Sequence, residues 1–246
     1  MSLPTGTVTF LFTDIEGSTR LWEQQPEVMR ATLVRHDKIV RESIESAGGH
    51  VFKTMGDAFC ASFDCPSAAV IAAVSVQLAL HSLSDSDSAI PLSVRMAIYT
   101  GEAEERDSDY FGPALNRISR LLSIGHGGQV LISEASATLL SSTQDPAWRV
   151  VSLGTHFLRD IQQPERVYQL VHPDLPSSFP PLASIGTFAN NLPIQVTSFV
   201  GREAELTDVC SHMVSERLLT LVGTGGTGKT RLALQAAGLR KTEYLD

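Results

Sequence analysis

Apolar and β-branched residues fill the run from Thr5 to Thr13, which predicts a buried strand ending at Asp14. Gly17-Ser18-Thr19 opens a helical stretch. Val28, Leu33, Val34, Ile39, Val40 and Ile44 then recur close to a helical repeat until Gly48-Gly49 stops it. His50 to Thr54 and Ala58 to Phe63 predict two short strands that turn at Gly56-Asp57. Pro66 suits the first turn of a helix continuing through an Ala/Val-rich run to Leu80. Leu92 to Thr100 alternates like a strand, and Gly112 to Ile124 sets Leu115, Ile118, Leu121 and Leu122 on the inner side of a helix. Gln129 to Ile132 predicts a strand, Ser133 caps another helix, and Trp148 to Leu153 and Val167 to Val171 are late strands. This alternation predicts an α+β domain, an α/β sandwich, of about 170 residues.

Beyond it the pattern changes. Pro173, Pro176, Pro180, Pro181 and Pro193 fall within 172–197, which predicts an extended linker. The expected division is therefore a first domain over 1–171, a Pro-rich linker over 172–197 and a second unit over 198–246. In that unit Leu218 to Val222 predicts a short buried strand and Arg231 to Leu239 a helix. Between them, Gly223-Thr224-Gly225-Gly226-Thr227-Gly228-Lys229-Thr230 satisfies G-x-x-x-x-G-K-[ST]. Gly223 and Gly228 let backbone amides wrap a phosphate, Lys229 reaches the β/γ oxygens, and Thr230 is placed to hold Mg²⁺. Only 17 residues follow Lys229. They supply neither further parallel strands nor a second acidic metal ligand, so the segment reads as the truncated start of a P-loop module.

Composition narrows the function classes. The 246 residues are 43% hydrophobic and 19% charged, which excludes whole-chain disorder. The net charge of −8 leaves no general attraction for nucleic acid or anionic membrane. A bound polyphosphate must be held by local cations, metal ions or backbone amides. Cys60, Cys65 and Cys210 match no zinc or disulfide spacing and read as free thiols. Without a signal core or an apolar run of about 20 residues, the chain is expected to be soluble and cytoplasmic. His36, His50, His81, His126 and His156 show no ligand spacing and are expected at the surface or hydrogen-bonded, and Trp22 and Trp148 in the core or a dimer face.

The candidate chemistry lies in the first domain. Asp14 ends the first strand and Asp57 lies in the hairpin turn. Pairing of that hairpin beside the first strand would bring both carboxylates together, an arrangement that calls for a divalent cation such as Mg²⁺ or Mn²⁺. Asn116 and Arg120 are one turn apart on a single helix face, whereas Arg117 and Ser119 point elsewhere.

Three motifs in order, Phe12-Thr-Asp-Ile-Glu-Gly-Ser-Thr19, Lys53-Thr-Met-Gly-Asp57 and Asp109-Tyr-Phe-Gly-Pro-Ala-Leu-Asn116-Arg-Ile-Ser-Arg120, resemble the catalytic domain of class III nucleotidyl cyclases over about residues 5 to 171. Phe199-Val200-Gly201-Arg202-Glu203 resembles the entry to the NB-ARC-like ATPase module of LuxR-type multidomain regulators. The cyclase resemblance implies a ferredoxin-like βαββαβ core in a head-to-tail homodimer whose two active sites lie at the interface. It implies two metal ions per site on Asp14, Asp57 and the backbone carbonyl of Ile15, and a triphosphate cradled by the amides of Gly17, Ser18 and Thr19. It also implies base selection by Lys53 and Asp109, and transition-state roles for Asn116 and Arg120 from the second chain. The connection from Thr100 to Asp109 is shorter than in longer members, whose hairpin there contributes to the dimer; its absence bears on dimer strength.

Base choice follows from hydrogen-bonding types. Lys53 donates only and ionised Asp109 accepts only, which complements adenine, an acceptor at N1 and a donor at N6. Guanine reverses both positions. The reading is therefore an adenylate cyclase, a phosphorus–oxygen lyase acting on ATP. Its alternative is a non-catalytic or weakly active nucleotide-binding sensory module of a truncated ATPase regulator.

Overall fold

Both faces of β1 (Gly6–Ile15) are buried, Leu11 and Ile15 into one core and Val8, Phe10 and Phe12 into the other. That two-sided burial puts β1 inside the sheet. The structure, a computed structural model, describes residues 3–84, 91–141, 147–184, 201–216 and 218–240. After β1 come α1 (Ser18–Gln24), α2 (Pro26–Ser46), β2 (His50–Met55), β3 (Ala58–Phe63), α3 (Pro66–Ser84) and β4 (Val94–Arg106). These form the βαββαβ unit that the resemblance implies, with its first helical segment split into α1 and α2. They are followed by β5 (Asp109–Phe111), α4 (Pro113–Ser123), β6 (Val130–Ser133), α5 (Glu134–Leu140), β7 (Arg149–His156) and β8 (Glu165–Val171). The sheet order is β2-β3-β1-β4-β6-β8-β7, with β5 on the far end of β4. Residues of α2, α3 and α5 close one face, and Ala114, Ile118 and Leu121 of α4 pack on the other.

Local chemistry sets the boundaries. Pro26 biases Gln25 out of the helical region, to φ −144° and ψ 64°, so the stretch after Gly17 is two helices. The Ser133 hydroxyl accepts from the Ser136 amide and starts α5. At Gly101 a Cβ would crowd the Tyr99 ring at 3.0 Å, so glycine leaves room for that ring on β4. His36 is fully buried on α2 and hydrogen-bonded through Nδ1 to Asp37, with Nε2 unpartnered, because it falls on the apolar stripe of Met29, Val40 and Ile44.

Two connections depart from the sequence reading. The Thr100–Asp109 segment, expected to lack a hairpin, is one. β4 runs on to Arg106, and Asp107 and Ser108 turn it at φ 53° and 62°, the signature of a two-residue primed turn. Residues 172–184, expected as extended linker, are tied to the first unit. Gln169 Nε2 donates to Ser177 O at 2.8 Å and the Ala183 amide to Ile124 O at 3.0 Å. Leu182 packs on the core under α4. Prolines lack the amide for a ladder, but their carbonyls remain as acceptors, and Pro181 O lies 3.1 Å from His126 Nε2. The rest of that linker, 185–197, lies outside the described residues, as do Phe199 and Val200.

The chain divides into compact units at Met1–Thr187 and Phe188–Asp246. In the second, α6 (Glu203–Ser215) and α7 (Lys229–Arg240) share a small core of Val209, Leu232 and Ala236. The strand predicted over Leu218 to Val222 is not formed. Among the described residues it has no ladder partner, and Leu218 and Val222 are 84% and 88% exposed. The loop ahead of α7 closes on itself. Lys229 Nζ donates to the carbonyls of Gly223 (2.9 Å) and Thr224 (2.6 Å), and Arg202 Nη1 donates to Thr227 O at 2.7 Å.

Candidate active site

Asp14 lies on the same β1 face as Phe10 and Phe12, one residue before the strand ends, and is half-buried. Its Oδ2 accepts two hydrogen bonds from Arg95, at 2.9 Å from Nε and 2.6 Å from Nη2. Arg95 is the residue opposite Asp14 in the β1–β4 ladder. Asp57 arrives from the β2–β3 turn, where Gly56 takes φ +64°. Its Oδ2 accepts from the Ile15 amide at 3.3 Å. The β1–β3 register, with Thr13 opposite Phe59, brings that turn to the end of β1. Two carboxylates thus converge on consecutive residues, with backbone carbonyls beside them. All these donors are hard oxygens, the type that suits a Mg²⁺- or Mn²⁺-type ion. Gly17, at φ +71°, turns the chain from β1 into α1 and leaves Ser18 half-buried and Thr19 exposed next to this end of the strand.

Lys53 and Asp109 meet 56 residues apart, with Nζ donating to Oδ2 at 2.5 Å. A register shift between Val51 and Lys53 makes this possible. It lets Phe52 pack into the core while Lys53 stays exposed. Phe52 lies 4.9 Å edge-on to Tyr110, and Phe10 5.1 Å from Tyr110, so β2 and β5 are held by one aromatic cluster. The Tyr110 hydroxyl donates to Pro4 O at 2.7 Å. The hydrogen bond from Lys53 holds the Asp109 carboxyl below the usual range, and the same bond raises Lys53. Burial pushes the nearby Cys60 thiol up to about 12, which keeps it a neutral, unreactive wall.

Asn116 and Arg120 share one side of α4, and Asn116 is exposed. Arg120 Nη2 donates to Asp160 Oδ2 at 2.8 Å. Among the described residues no hydrogen bond or ion pair joins Asn116 or Arg120 to Asp14, Asp57, Lys53 or Asp109 of the same chain. The structure therefore gathers the sequence-selected residues into three groups: Asp57 on Ile15 with Asp14 beside it at the end of β1, Lys53 with Asp109 across β2 and β5, and Asn116 with Arg120 on α4.

Two features escaped the sequence. Arg95 was readable as the one charge within the alternating run Leu92 to Thr100, on the face opposite Val94, Met96 and Ile98. Arg117, expected off the Asn116–Arg120 face, reaches Glu165, with Nη1 3.6 Å from Oε2, a partner the sequence did not suggest.

The family model for the adenylate and guanylate cyclase catalytic domain matches residues 2–172. An uncharacterised protein of Mycobacterium tuberculosis is 40% identical over 206 residues, covering 82% of this chain and 70% of that protein. The adenylate cyclase of Podospora anserina is 29% identical over 221 residues, and its matched part is only 10% of that protein. A solved structure of a Trypanosoma brucei adenylate cyclase in its monomeric state superposes with a TM-score of 0.64 at 31% identity, covering 74% of this chain and 94% of that one. No helix among the described residues is long and apolar enough to cross a membrane.

Proposed function

The chain belongs to the adenylate and guanylate cyclase catalytic-domain family, and from that premise we propose that it is an adenylate cyclase, converting ATP to 3′,5′-cyclic AMP and pyrophosphate in a homodimer. The observation carrying this reading is the Asp57 carboxylate on the Ile15 amide, which sets a second acid beside Asp14. Asp14, Asp57 and the Ile15 carbonyl would hold two Mg²⁺ or Mn²⁺ ions. When bound, these ions acidify the ribose 3′-OH and neutralise the leaving pyrophosphate.

The chain's own groups do the rest. Gly17, Ser18 and Thr19 present amides to the triphosphate. Arg95, hydrogen-bonded to Asp14, is a cation beside that cradle. Asp109 accepts from adenine N6 and Lys53 donates to N1. Asn116 and Arg120 come from the second chain; among the described residues no hydrogen bond or ion pair ties them to the carboxylates of their own chain. Asn116 orients the ribose, and Arg120 meets the charge that develops on the α-phosphoryl oxygens. The deciding measurement is chromatographic product analysis with Mn²⁺ and ATP or GTP, beside an Asp57→Ala control. Cyclic AMP from the unaltered chain alone supports the proposal, and cyclic GMP would refute the base assignment.

The ion pair predicts how selectivity responds to pH. Asp109 is lowered, so its charge is lost only as pH falls below the ordinary carboxylate range. Lys53 is raised, so its charge is lost only above the ordinary ammonium range. Both stay ionised from about pH 5 to pH 9. The ATP-to-GTP ratio of kcat/KM is expected to stay constant across that window, even where the absolute rate changes. A ratio that titrates within it would show that another group reads the base.

A second reading, a nucleotide-binding sensory module without turnover, is favoured by the counter-ions already on Asp14 and Arg120. A folded dimer that yields no cyclic product selects it. The second unit is proposed as the opening of an NB-ARC-like P-loop module, with phosphate held by Gly223, Gly228, Lys229 and Thr230. Retention of labelled ATP by the unit, lost in Lys229→Ala, is the expected result.

A further inference from the structure

Resting on the interface-site reading above, we infer that Glu165, acting through Arg117, is a positioning residue for the catalytic face of α4. Arg117 follows Asn116 directly and precedes Arg120 by three residues, so whatever fixes its side chain fixes the roll of α4 about its own axis. The apolar contacts of Ala114, Ile118 and Leu121 hold α4 to the sheet but are non-directional. The Arg117–Glu165 ion pair is mostly buried and ties one point on the circumference of α4 to β8. Glu165 is 8% exposed, and its Oε2 has no hydrogen-bond partner, the Arg117 guanidinium standing 3.6 Å away as its counter-charge.

The neighbouring groups register the same pair. Burial pushes the Glu165 carboxyl up and Arg117 draws it down, with Glu134 adding to the rise. Burial and the Glu165 charge raise the Tyr99 phenol on β4, which Arg117 in turn lowers. A buried acid left without its cation is costly, so the pair resists separation. Asp160 lies between the end of β7 at His156 and the start of β8 at Glu165. The segment entering β8 thus grips α4 twice, at Arg120 through Asp160 and at Arg117 through Glu165. Asp160 takes φ +61°, a left-handed conformation that a side chain rarely adopts. The Arg120–Asp160 pair is 40% and 64% exposed and is held weakly; the buried pair is the anchor.

Glu165→Gln keeps the shape and removes the charge. It is expected to lower kcat roughly ten- to hundredfold, the cost of a displacement of about an ångström, while KM for ATP changes less than about twofold. Mixed dimers separate positioning from folding. Paired with an Asp57→Ala chain, Glu165→Gln supplies intact carboxylates and the partner supplies an intact α4, so activity should recover. Paired with an Arg120→Ala chain it should not, since both lesions then fall on α4. An unaltered kcat, recovery with the Arg120→Ala chain, or no recovery with either partner overturns the inference. Thermal melting reports whether Glu165→Gln folds; should it not, Arg117→Lys in the same mixtures decides between these outcomes. Mixing Asp57→Ala with Arg120→Ala is the control. Its failure removes the interface-site reading itself, whereas its success with a failed Glu165 series removes only the positioning role.

Discussion

Alanine at Arg120 or at Asp57 is expected to lower cyclic AMP formation by about 10³-fold or more, and an equal mixture of the two inactive chains to recover activity. The first loss follows from charge. Phosphoryl transfer places negative charge on oxygens that only a fixed cation can meet, and removal of such an arginine costs on the order of 10³-fold or more. The second follows from geometry, because Asp57 is the carboxylate that turns the end of β1 into a two-acid site. Recovery follows from the proposed interface site, to which one chain brings the carboxylates and the other Arg120, which within its own chain is engaged by Asp160. With random exchange about half the dimers are mixed, and each mixed dimer keeps one intact site, giving about a quarter of the unaltered rate per chain. No recovery from chains that fold and associate would place the whole site within one protomer.

Much of this site was legible because its residues sit at strand ends and turns, where few structural demands compete with chemistry. Asp14 and Asp57 were found from a strand end and a hairpin turn, and the β1–β3 register is what brings them together. Lys53 and Asp109 stand out only by resemblance, since no local pattern reveals the shift at Val51/Lys53 that lets Phe52 turn inward while Lys53 stays out. The missed features are all long-range. The helix repeat puts Arg117 off the Asn116–Arg120 face, but nothing local pairs it with a buried acid 48 residues on without the β8 register. The docking of residues 172–184 is invisible in composition because prolines signal the absence of a ladder, not the carbonyl contacts that replace it. The strand expected at Leu218 to Val222 shows the opposite limit. Its apolar pattern describes a buried parallel strand, but such a strand exists only beside others.

Exchanging the base-reading pair, as Lys53→Glu with Asp109→Lys, is expected to turn the preference from ATP to GTP. The exchange preserves an ion pair across β2 and β5, so the aromatic cluster of Phe10, Phe52 and Tyr110 that holds those strands keeps its support. What changes is the order of donor and acceptor along the base edge. A lysine at 109 donates to guanine O6 where Asp109 accepted from adenine N6, and a glutamate at 53 accepts from guanine N1–H where Lys53 donated to adenine N1. Mismatch leaves buried polar groups unpaired, and discrimination of that kind reaches on the order of 10⁴ in a desolvated site. Lys53 is 45% and Asp109 27% exposed in the single chain, so the full ratio requires the second chain to cover the pair. Competition between ATP and GTP, read as the ratio of the two kcat/KM values before and after exchange, measures that inversion. A ratio still favouring ATP in a folded, active double variant would mean that adenine is selected by the shape of the pocket and not by this pair.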